Sequence, residues 1–469
     1  MRNGGICMAG DFIITGGRPL SGTVRIPAAK NSVLPLLAAT ILCSGPVRLR
    51  NVPPLADVNT SLRLLRGAGG AACRQGGDVL VERAPTTCRL DAEAAAQMRA
   101  SILFCAPLLA RLGRAETVLP GGCRIGARPV DLHLSGLKAL GAQCREEGER
   151  LILTAPSGLR GADITLRFPS VGATETLLLA AATAQGSTTL RGAAREPEIA
   201  DLAAFLCRCG ASIRGAGTST IRVEGRRTLA GCTFAPMADR IVASTYACAC
   251  AAAGGRVELT GCAPATYAPL LEILAQMGCS VECGPETAVI SRFGALHGVG
   301  KVFTGVYPAL ATDAAPLLAA AMLTARSESS IEDVIFERRF VCAEGFAAFG
   351  GRVETAGRTL HIAPARRLSA AEVRAPDLRG GAALVIAALA AEGTSRVRET
   401  GFIDRGYADF ARKLGQLGAQ ITREMRPVRE KRKKHLQKTN FDLQSGPKDD
   451  TIQLYKCSKR NSAHCAVLR

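Results

Sequence analysis

The segment Leu137-Lys138-Ala139-Leu140-Gly141 is one copy of a short pattern that decides the fold. In this pattern a helical run of leucine and alanine ends at a glycine, and a strand follows. Glycine ends a helix well because it adopts the left-handed backbone conformation without a clash at Cβ. The six copies end at Gly69, Gly141, Gly210, Gly278, Gly350 and Gly418. Consecutive copies are 68 to 72 residues apart, so the sequence predicts six similar units.

A second element recurs about 25 residues before most of these glycines. It is an alanine-rich helix that ends at glycine and leads into a β-branched strand, as in residues 180–190, 247–259 and 387–397. Each unit therefore contains two helices and several strands. Such a unit can bury two faces, so compact α/β domains fit better than an open solenoid. Six units over residues 10–422 indicate two domains of three units each, with a cleft between them as the natural active site.

The composition is that of a globular protein, with 469 residues, 47% hydrophobic and 21% charged. The longest apolar runs, residues 314–325 and 380–391, are too short to span a membrane and suit buried helices. The N-terminus has no apolar core typical of a signal peptide. We therefore expect a cytoplasmic protein with reduced thiols. Its 18 cysteines include pairs two residues apart in helical contexts, which suits small core residues better than metal ligands.

The net charge of +19 is unevenly distributed. Residues 423–469 contain 13 Lys+Arg and 5 Asp+Glu, a net charge of +8. We expect residues 425–469 to be a disordered tail, with nonspecific polyanion contacts as an open alternative. Aromatic residues are only 4% and tryptophan is absent, so other binding of nucleic acid is not expected. The remaining positive charge suits an anionic small molecule.

The segment from Leu119 to His133 reads as a loop because glycine and proline interrupt any hydrophobic period. It contains the thiol of Cys123 and the guanidiniums of Arg124 and Arg128. Nearby cations favour the thiolate, which makes a cysteine reactive. The alternative is a surface loop with an incidental cysteine.

Other segments place charges at predicted helix starts. Lys30 and Asn31 precede an apolar helix, where an ammonium and the helix N-terminus suit an anion, although a solvated lysine would read the same. Asp313 stands before another apolar helix, where a plain N-cap is the simple alternative. Similar arrangements occur at Ser170–Gly172, Asp377–Arg379 and Phe402–Tyr407.

These segments, together with residues 194–199, resemble the enolpyruvyl transferase family over residues 9–424. The resemblance implies an α/β fold of two inside-out α/β barrel domains, each of three repeated βαβαββ-like units, with the active site in the interdomain cleft. The first domain would comprise residues 9–29 and 239–424. The second would comprise residues 30–238 and carry the Cys123 loop.

The loop cysteine favours the branch of the family that acts on a sugar nucleotide. The implied substrates are phosphoenolpyruvate and UDP-N-acetylglucosamine. The implied reaction moves the enolpyruvyl group to the sugar 3′-hydroxyl by addition and elimination, as the first committed step of peptidoglycan precursor synthesis. It implies a fosfomycin target, with no cofactor, metal or membrane partner. Transfer to another alcohol, such as shikimate 3-phosphate, and a weakly active paralogue with a polyanion-binding tail stay open.

The resemblance also implies residue roles. Cys123 would protonate the methylene carbon or attack the substrate, and Asp313 would be the general base. Lys30 and Arg405 complete the catalytic set. Lys30, Arg128 and Arg405 would hold the phosphate and carboxylate of phosphoenolpyruvate, with Arg99 assisting, and three cations in one cleft would repel one another unless an anion filled it. Ser170 to Gly172 would bind the diphosphate, and His133 would make a structural hydrogen bond. The implied substrate-binding residues are Asn31, Arg99, Arg128, Pro129, Val130, Asp131, Leu132, Ser170, Val171, Gly172, Asp313, Ile335, Asp377 and Arg379. The chain departs from the family pattern at Leu103, Phe168 and Ala311.

Overall fold

The computed structural model describes residues 10–119, 125–126 and 129–425. The predictions for Cys123, Arg124, Arg128 and the tail beyond Met425 lie outside the described residues. The described part of the chain forms 23 strands, 13 α-helices and five short 3-10 helices.

The strands and helices follow one another as six similar units. The strands are β1 (Gly10–Thr15), β2 (Leu20–Arg25), β3 (Val47–Leu49), β4 (Ala71–Gln75), β5 (Asp78–Arg83), β6 (Arg114–Val118), β7 (Gln143–Glu147), β8 (Arg150–Thr154), β9 (Asp163–Thr165), β10 (Ser187–Arg191), β11 (Ser212–Arg214), β12 (Thr220–Glu224), β13 (Thr233–Phe234), β14 (Gly255–Thr260), β15 (Ser280–Cys283), β16 (Thr287–Arg292), β17 (Gly300–Phe303), β18 (Ser329–Glu332), β19 (Arg352–Ala356), β20 (Thr359–Ala363), β21 (Glu372–Arg374), β22 (Thr394–Arg398) and β23 (Gln420–Met425). The helices are α1 (Lys30–Ala39), α2 (Ala56–Gly67), α3 (Ala92–Gln97), α4 (Cys105–Leu112), α5 (Asp131–Ala139), α6 (Val171–Ala181), α7 (Pro197–Arg208), α8 (Arg240–Ala253), α9 (Ala268–Gln276), α10 (Ala315–Met322), α11 (Ala343–Ala348), α12 (Leu378–Ala390) and α13 (Phe410–Gln416).

The described strands form six separate sheets, and the five four-stranded ones share one pairing rule. The strand orders are β21-β22-β1-β23, β15-β16-β14-β2, β17-β18-β20-β19, β11-β12-β10-β9, β13-β3-β5-β4 and β6-β8-β7. In each four-stranded sheet one parallel pair is extended by two antiparallel pairs. For example, Val257 of β14 lies opposite Gly22 on its parallel neighbour and Ile290 on its antiparallel neighbour. This shared rule is the structural form of the repeat predicted from the sequence.

The six glycines that end the repeated helical pattern all adopt a positive φ, between 84° and 107°. Any residue with a Cβ would be strained in that conformation. The prediction that each of them ends a helix and turns the chain towards a strand is confirmed. One example is Gly418, which follows α13 and leads into β23.

The chain has two separate hydrophobic cores. In each of them the helices lie on the inside and the sheets on the outside. The first includes Phe12 to Ile26 and residues from Ile241 to Leu417, and the second runs from Ala28 to Leu229. In the first core α8, α10 and α12 pack against one another and are buried on nearly all sides, which explains why they are apolar all round. This architecture confirms the predicted α/β class. The division of the chain into two domains stays a prediction.

The helices of the described residues are short. The longest in the described ranges, α8, has 14 residues. No helix of these ranges is long and apolar enough to cross a membrane.

The chain passes between the two cores twice, and the two passages lie side by side. Ala28 and Ala238 form an antiparallel bridge, and the amide of Ala29 donates to the carbonyl of Met237 at 2.7 Å. The side chain of Asp239 caps α8, and its Oδ2 also accepts from the amide of Lys30 at 3.1 Å. The starts of α1 and α8 are therefore fixed to each other.

Candidate active site

Asp57 brings together two cations that come from opposite cores. The ammonium of Lys30, at the start of α1, lies 2.9 Å from Oδ2 of Asp57. Arg405, in the 3-10 helix Thr400–Arg405, donates from Nε to Oδ1 at 2.9 Å. The Asp57 side chain is only 5% exposed. Two of the three cations that the sequence assigned to one anion site are thus brought together by the structure.

Asp57 is charged despite its burial. Burial by itself would raise the pKa of this carboxyl, but the charges of Lys30 and Arg405 outweigh it and lower the pKa below its usual value. The sequence reasoning expected the cations to repel one another unless an anion lay between them. The chain itself supplies that anion. Sequence reasoning missed Asp57, because an acidic residue in the first turn of a helix such as α2 is ordinary.

Asp313 is held between two guanidiniums. Arg339 donates from Nη2 to Oδ1 at 2.5 Å, and Arg379 donates from Nε to Oδ2 at 3.1 Å. Arg339 also donates to the carbonyl of Thr312 at 2.7 Å, which fixes its position. Burial would raise the pKa of Asp313, but the two arginines together lower it far below its ordinary value. The simple N-cap interpretation of this residue is wrong, because Ala311 occupies the cap position.

Asp377 differs from Asp313 in that it does cap a helix. Its Oδ1 accepts from the amides of Arg379 and Gly380, each at 2.9 Å. Its Oδ2 is buried and has no hydrogen-bond partner among the described residues. The Arg379 guanidinium lies over the ring of Tyr407, 5.3 Å from the centroid. The Arg379 side chain thus lies between Asp313, to which it donates, and the ring of Tyr407.

The prediction of a loop from Leu119 to His133 is wrong for its last three residues, because α5 begins at Asp131. Ile125 and Gly126 lie against the segment that carries Arg339. The amide of Arg338 donates to the carbonyl of Ile125 at 3.0 Å. Gly126 has a φ of 145°, a backbone conformation that favours glycine, and a Cβ there would meet the end of the Glu337 side chain at 2.2 Å. This segment comes from the other half of the chain, so both halves contribute to the region around Asp313.

The residues expected near the nucleotide are fixed mainly by local contacts. The Ser170 hydroxyl caps α6 by accepting from the amide of Ala173 at 3.3 Å. The ring of His133 packs over Gly172, and its Nδ1 is 2.8 Å from the hydroxyl of Thr176. The expected structural hydrogen bond of His133 is confirmed.

The other predicted substrate-binding residues lie at helix starts or between the cores and the surface. Arg99 donates to the carbonyl of Pro129 at 3.3 Å, and Asp131 forms an ion pair with Arg167. Val130, Leu132 and Val171 pack against the second core. The amide of Ile335 donates to Asp333, which also accepts from Thr312 beside Asp313. Asn31 is exposed next to Lys30. Their substrate-binding roles stay predictions.

The chain has long and similar relatives. It is 43% identical over 414 residues to the UDP-N-acetylglucosamine 1-carboxyvinyltransferase of Nitratidesulfovibrio vulgaris strain Hildenborough, covering 88% of this chain and 99% of that protein. The enzyme of the same name from Acinetobacter baylyi is 42% identical over 413 residues, with the same coverage. Residues 14–414 match the family described as EPSP synthase (3-phosphoshikimate 1-carboxyvinyltransferase). The chain belongs to the enolpyruvyl transferase family.

Solved enolpyruvyl transferases have the same fold as this one. The enolpyruvyl transferase NikO from Streptomyces tendae superposes with a TM-score of 0.79 at 27% identity, covering 89% of this chain and all of that one. An EPSP synthase from Acinetobacter baumannii gives a TM-score of 0.69 at 18% identity, which speaks for the fold alone.

This enolpyruvyl transferase also contains a buried ionic group that sequence reasoning did not identify. Arg240, the first residue of α8, donates from Nε to Glu198 Oε1 at 3.0 Å, and both side chains are almost fully buried. Burial raises the pKa of the nearby Glu175, and the charges of Glu198 and Glu196 raise it further. The segment 194–199 carried the family resemblance, but its spacing gave no sign of a partner in α8.

Proposed function

We propose that this enolpyruvyl transferase moves the enolpyruvyl group of phosphoenolpyruvate to the 3′-hydroxyl of UDP-N-acetylglucosamine and releases phosphate. This is the first committed step of peptidoglycan precursor synthesis. The observation that carries the proposal is the convergence of Lys30 and Arg405, from opposite cores, on the single carboxylate of Asp57. Its substrate assignment is supported by relatives of that name that match nearly end to end.

In the proposed binding step, the substrate takes over part of the role of Asp57 as the anion that Lys30 and Arg405 contact. Phosphoenolpyruvate carries a phosphate and a carboxylate, which match an ammonium and a guanidinium already held about 3 Å from one carboxylate. Lys30 and Arg405 turn part of their hydrogen bonding from Asp57 to the substrate, and Arg128 and Arg99 complete the set. Asp57 then keeps the two cations from repelling each other when the substrate has left.

The proposed reaction has two steps. In the addition, the sugar hydroxyl oxygen bonds to C2 of phosphoenolpyruvate while Cys123 delivers a proton to the methylene carbon. In the elimination, the new methyl group returns a proton to the Cys123 thiolate and the C2–O bond to the phosphate breaks, which restores the double bond and releases phosphate. Asp313 accepts the proton of the hydroxyl. Asn31 and Asp377 position the reacting groups.

The two guanidiniums that contact Asp313 limit its strength as the proposed base. A carboxylate with a strongly lowered pKa is a weak base. Asp313 becomes a better base when Arg339 or Arg379 turns towards the anionic substrate, because each departing guanidinium raises its pKa. Substrate binding and activation of the base are thereby coupled.

We also propose that the two cores are two domains, residues 9–29 with 239–424 and residues 30–238, and that the site lies in the cleft between them. The adjacent passages at residues 27–30 and 237–239 support this division. The nucleotide would contact Pro129 to Leu132, Ser170 to Gly172, Ile335 and Arg379. The protein would act in the cytoplasm, where UDP-N-acetylglucosamine is available, and Cys123 would be alkylated by fosfomycin.

A second candidate is transfer to shikimate 3-phosphate, since the matching family is described by that reaction. One coupled phosphate-release assay separates the two. We expect phosphate only when phosphoenolpyruvate and UDP-N-acetylglucosamine are both present. Release with shikimate 3-phosphate instead would favour the second candidate, and release with neither alcohol would contradict both.

A further inference from the structure

Three thiols form a cluster in the second core, away from the candidate active site. The sulfur of Cys209 lies 3.7 Å from that of Cys43 and 3.4 Å from that of Cys232. All three are free thiols in the structure. Cys43 and Cys209 are buried, whereas Cys232 is partly exposed. We call these three residues the thiol triad.

The fold places the three sulfurs together by means of backbone hydrogen bonds. Cys209 is the C-cap of α7, and its carbonyl accepts from the amide of Ala230 at 2.8 Å. Cys43 pairs with Leu229 in an isolated parallel bridge. Cys232 lies three residues after Leu229, directly before β13. The segment from Leu229 to Cys232 is therefore held between the end of α7 and the residues that follow α1.

We propose that the thiol triad is a disulfide-exchange site, in which Cys209 bonds to Cys232 when the protein meets an oxidised thiol such as glutathione disulfide. A disulfide needs its sulfurs about 2.05 Å apart, so Cys209 and Cys232 have to approach by only about 1.4 Å. Cys43 is the second partner within reach of Cys209. Since Cys209 is shared, the triad forms one disulfide at a time and keeps one thiol.

The exchange needs no reagent other than glutathione disulfide. The Cys232 thiolate attacks one sulfur of glutathione disulfide, breaks its S–S bond and releases one glutathione thiolate. Cys209 then loses its proton and attacks the Cys232 sulfur of the mixed disulfide, which releases the second glutathione thiolate. Two protein thiols are oxidised, and one glutathione disulfide is reduced to two glutathione molecules. The two protons from Cys232 and Cys209 end on the two glutathione thiolates.

Access makes Cys232 the entry point of this exchange. It is the partly exposed member of the triad, so an external disulfide can reach it. Burial raises the pKa of Cys232 to about 12, although the charge of Arg208 opposes this. The hydrogen bond with Cys43 and burial raise the pKa of Cys209 as well. The thiolate is the attacking species, so the exchange is slow at neutral pH.

The bond would connect α7 to the segment that returns to the first core. That segment is already attached to α7, because Asp201 accepts from the amide of Met237 at 3.2 Å. Arg240 and Glu198 join the same helix to α8. A covalent link at the other end of α7 restrains the unfolded chain and should raise the melting temperature by a few degrees.

Tryptic mapping of the full chain after exposure to glutathione disulfide tests the proposal. Trypsin places Cys209 in residues 209–214, Cys232 in 228–240 and Cys43 in 31–48, each as the sole cysteine of its peptide. After free thiols are blocked, we expect a cross-link between 209–214 and 228–240 that dithiothreitol removes. The melting temperature should rise with the cross-link and fall on reduction.

Three variants make the result decisive. Cys232→Ser removes the accessible thiol and should prevent the cross-link, and Cys209→Ser removes the resolving thiol and should prevent it as well. Cys207→Ser, an exposed neighbour on the same helix end, serves as the matched control and should leave the link unchanged. Circular dichroism verifies that each variant folds. Glutathione attached to Cys232 without a cross-link, or cross-links distributed among unrelated cysteines, would overturn the proposal.

Discussion

Arg405 donates to Asp57 across a sequence separation of 348 residues, with its Nε 2.9 Å from Oδ1. The two residues belong to different cores, so this ion pair joins the two halves of the chain at the point where Lys30 also lies. A pair in this position affects both stability and the binding of an anionic substrate. The first prediction concerns this pair.

Replacing Asp57 by asparagine should leave Lys30 and Arg405 without their shared counter-ion. We expect the free energy of unfolding to fall by about 2–3 kcal/mol, less than for a fully buried pair because Arg405 is partly exposed. Phosphoenolpyruvate should restore part of the loss, since it binds only the folded protein. Denaturant titration with and without this ligand measures both effects.

The matched control for this variant is Glu392→Gln. Glu392 forms an ion pair with Arg367 at the same 2.9 Å, but both side chains are mostly exposed. Such a pair contributes less than about 1 kcal/mol. Equal losses in the two variants, or no effect of phosphoenolpyruvate on Asp57→Asn, would disprove the role given to Asp57.

Asp313→Asn should lower kcat by about 10²–10⁴-fold with a much smaller change in KM, because it removes the proposed base and keeps the shape of the side chain. Steady-state phosphate release measures both constants. Asp163→Asn, on the exposed side of β9, is a control that should keep normal turnover. A normal kcat for Asp313→Asn would remove this residue from the catalytic set.

Acid should destabilise the protein in a defined window. The pKa values of Asp57 and Asp313 are lowered in the fold, so the folded state binds fewer protons than the unfolded state near and below an ordinary aspartate pKa of about 3.9. Their contribution is fully present above that pH and is lost as the pH falls below it. Melting temperatures from pH 6 to pH 2 should therefore drop more steeply in the parent than in Asp57→Asn. Parallel curves would contradict this assignment.

The effect of Glu175 on stability should depend on pH in the opposite direction. Burial, followed by the charges of Glu198 and Glu196, raises its pKa, so the folded state keeps a proton that the unfolded state loses above about pH 4.3. Stability is lost as the pH rises through this region. Glu175→Gln should therefore melt higher than the parent at pH 8 and equally at pH 4. A variant that is less stable at both pH values would show that Glu175 is ionised in the fold.

Cys123→Ser should prevent covalent labelling by fosfomycin, an epoxide that alkylates thiolates, and should slow turnover. Intact-mass spectrometry of the parent and the variant detects the adduct. Cys283→Ser, which removes an exposed thiol elsewhere, should still be labelled once. If Cys123→Ser were labelled and inhibited like the parent, another nucleophile would be responsible.

The parts of the fold that depend on local chemistry could be predicted from the sequence. The six glycines at 68 to 72 residue steps identified the units, because the backbone angle at each depends on one residue. The apolar run 314–325 correctly indicated a buried helix, but α10 ends at Met322, since Leu323 and Thr324 form a turn. Helix ends depend on packing that a hydrophobic run does not reveal.

Only part of the candidate site could be predicted from the sequence, for a different reason. Lys30, Arg405 and Asp313 lie in sequence motifs, so they could be predicted as site residues. Their partners could not, because Asp57 and Arg339 become important through contacts with residues distant in sequence. The N-cap interpretation was right for Asp377 and wrong for Asp313, although both precede an apolar helix. What distinguishes them is the pair of guanidiniums that only the folded chain supplies.

The adjacent passages at residues 27–30 and 237–239 bring together the two ends of the proposed second domain, which would make it an insertion in the first. Such an insertion can be excised by a short linker from Ala29 to Asp239 and produced as its own molecule. Two fragments made this way would each retain one hydrophobic core, and their reassociation would report directly on the contacts between the two cores.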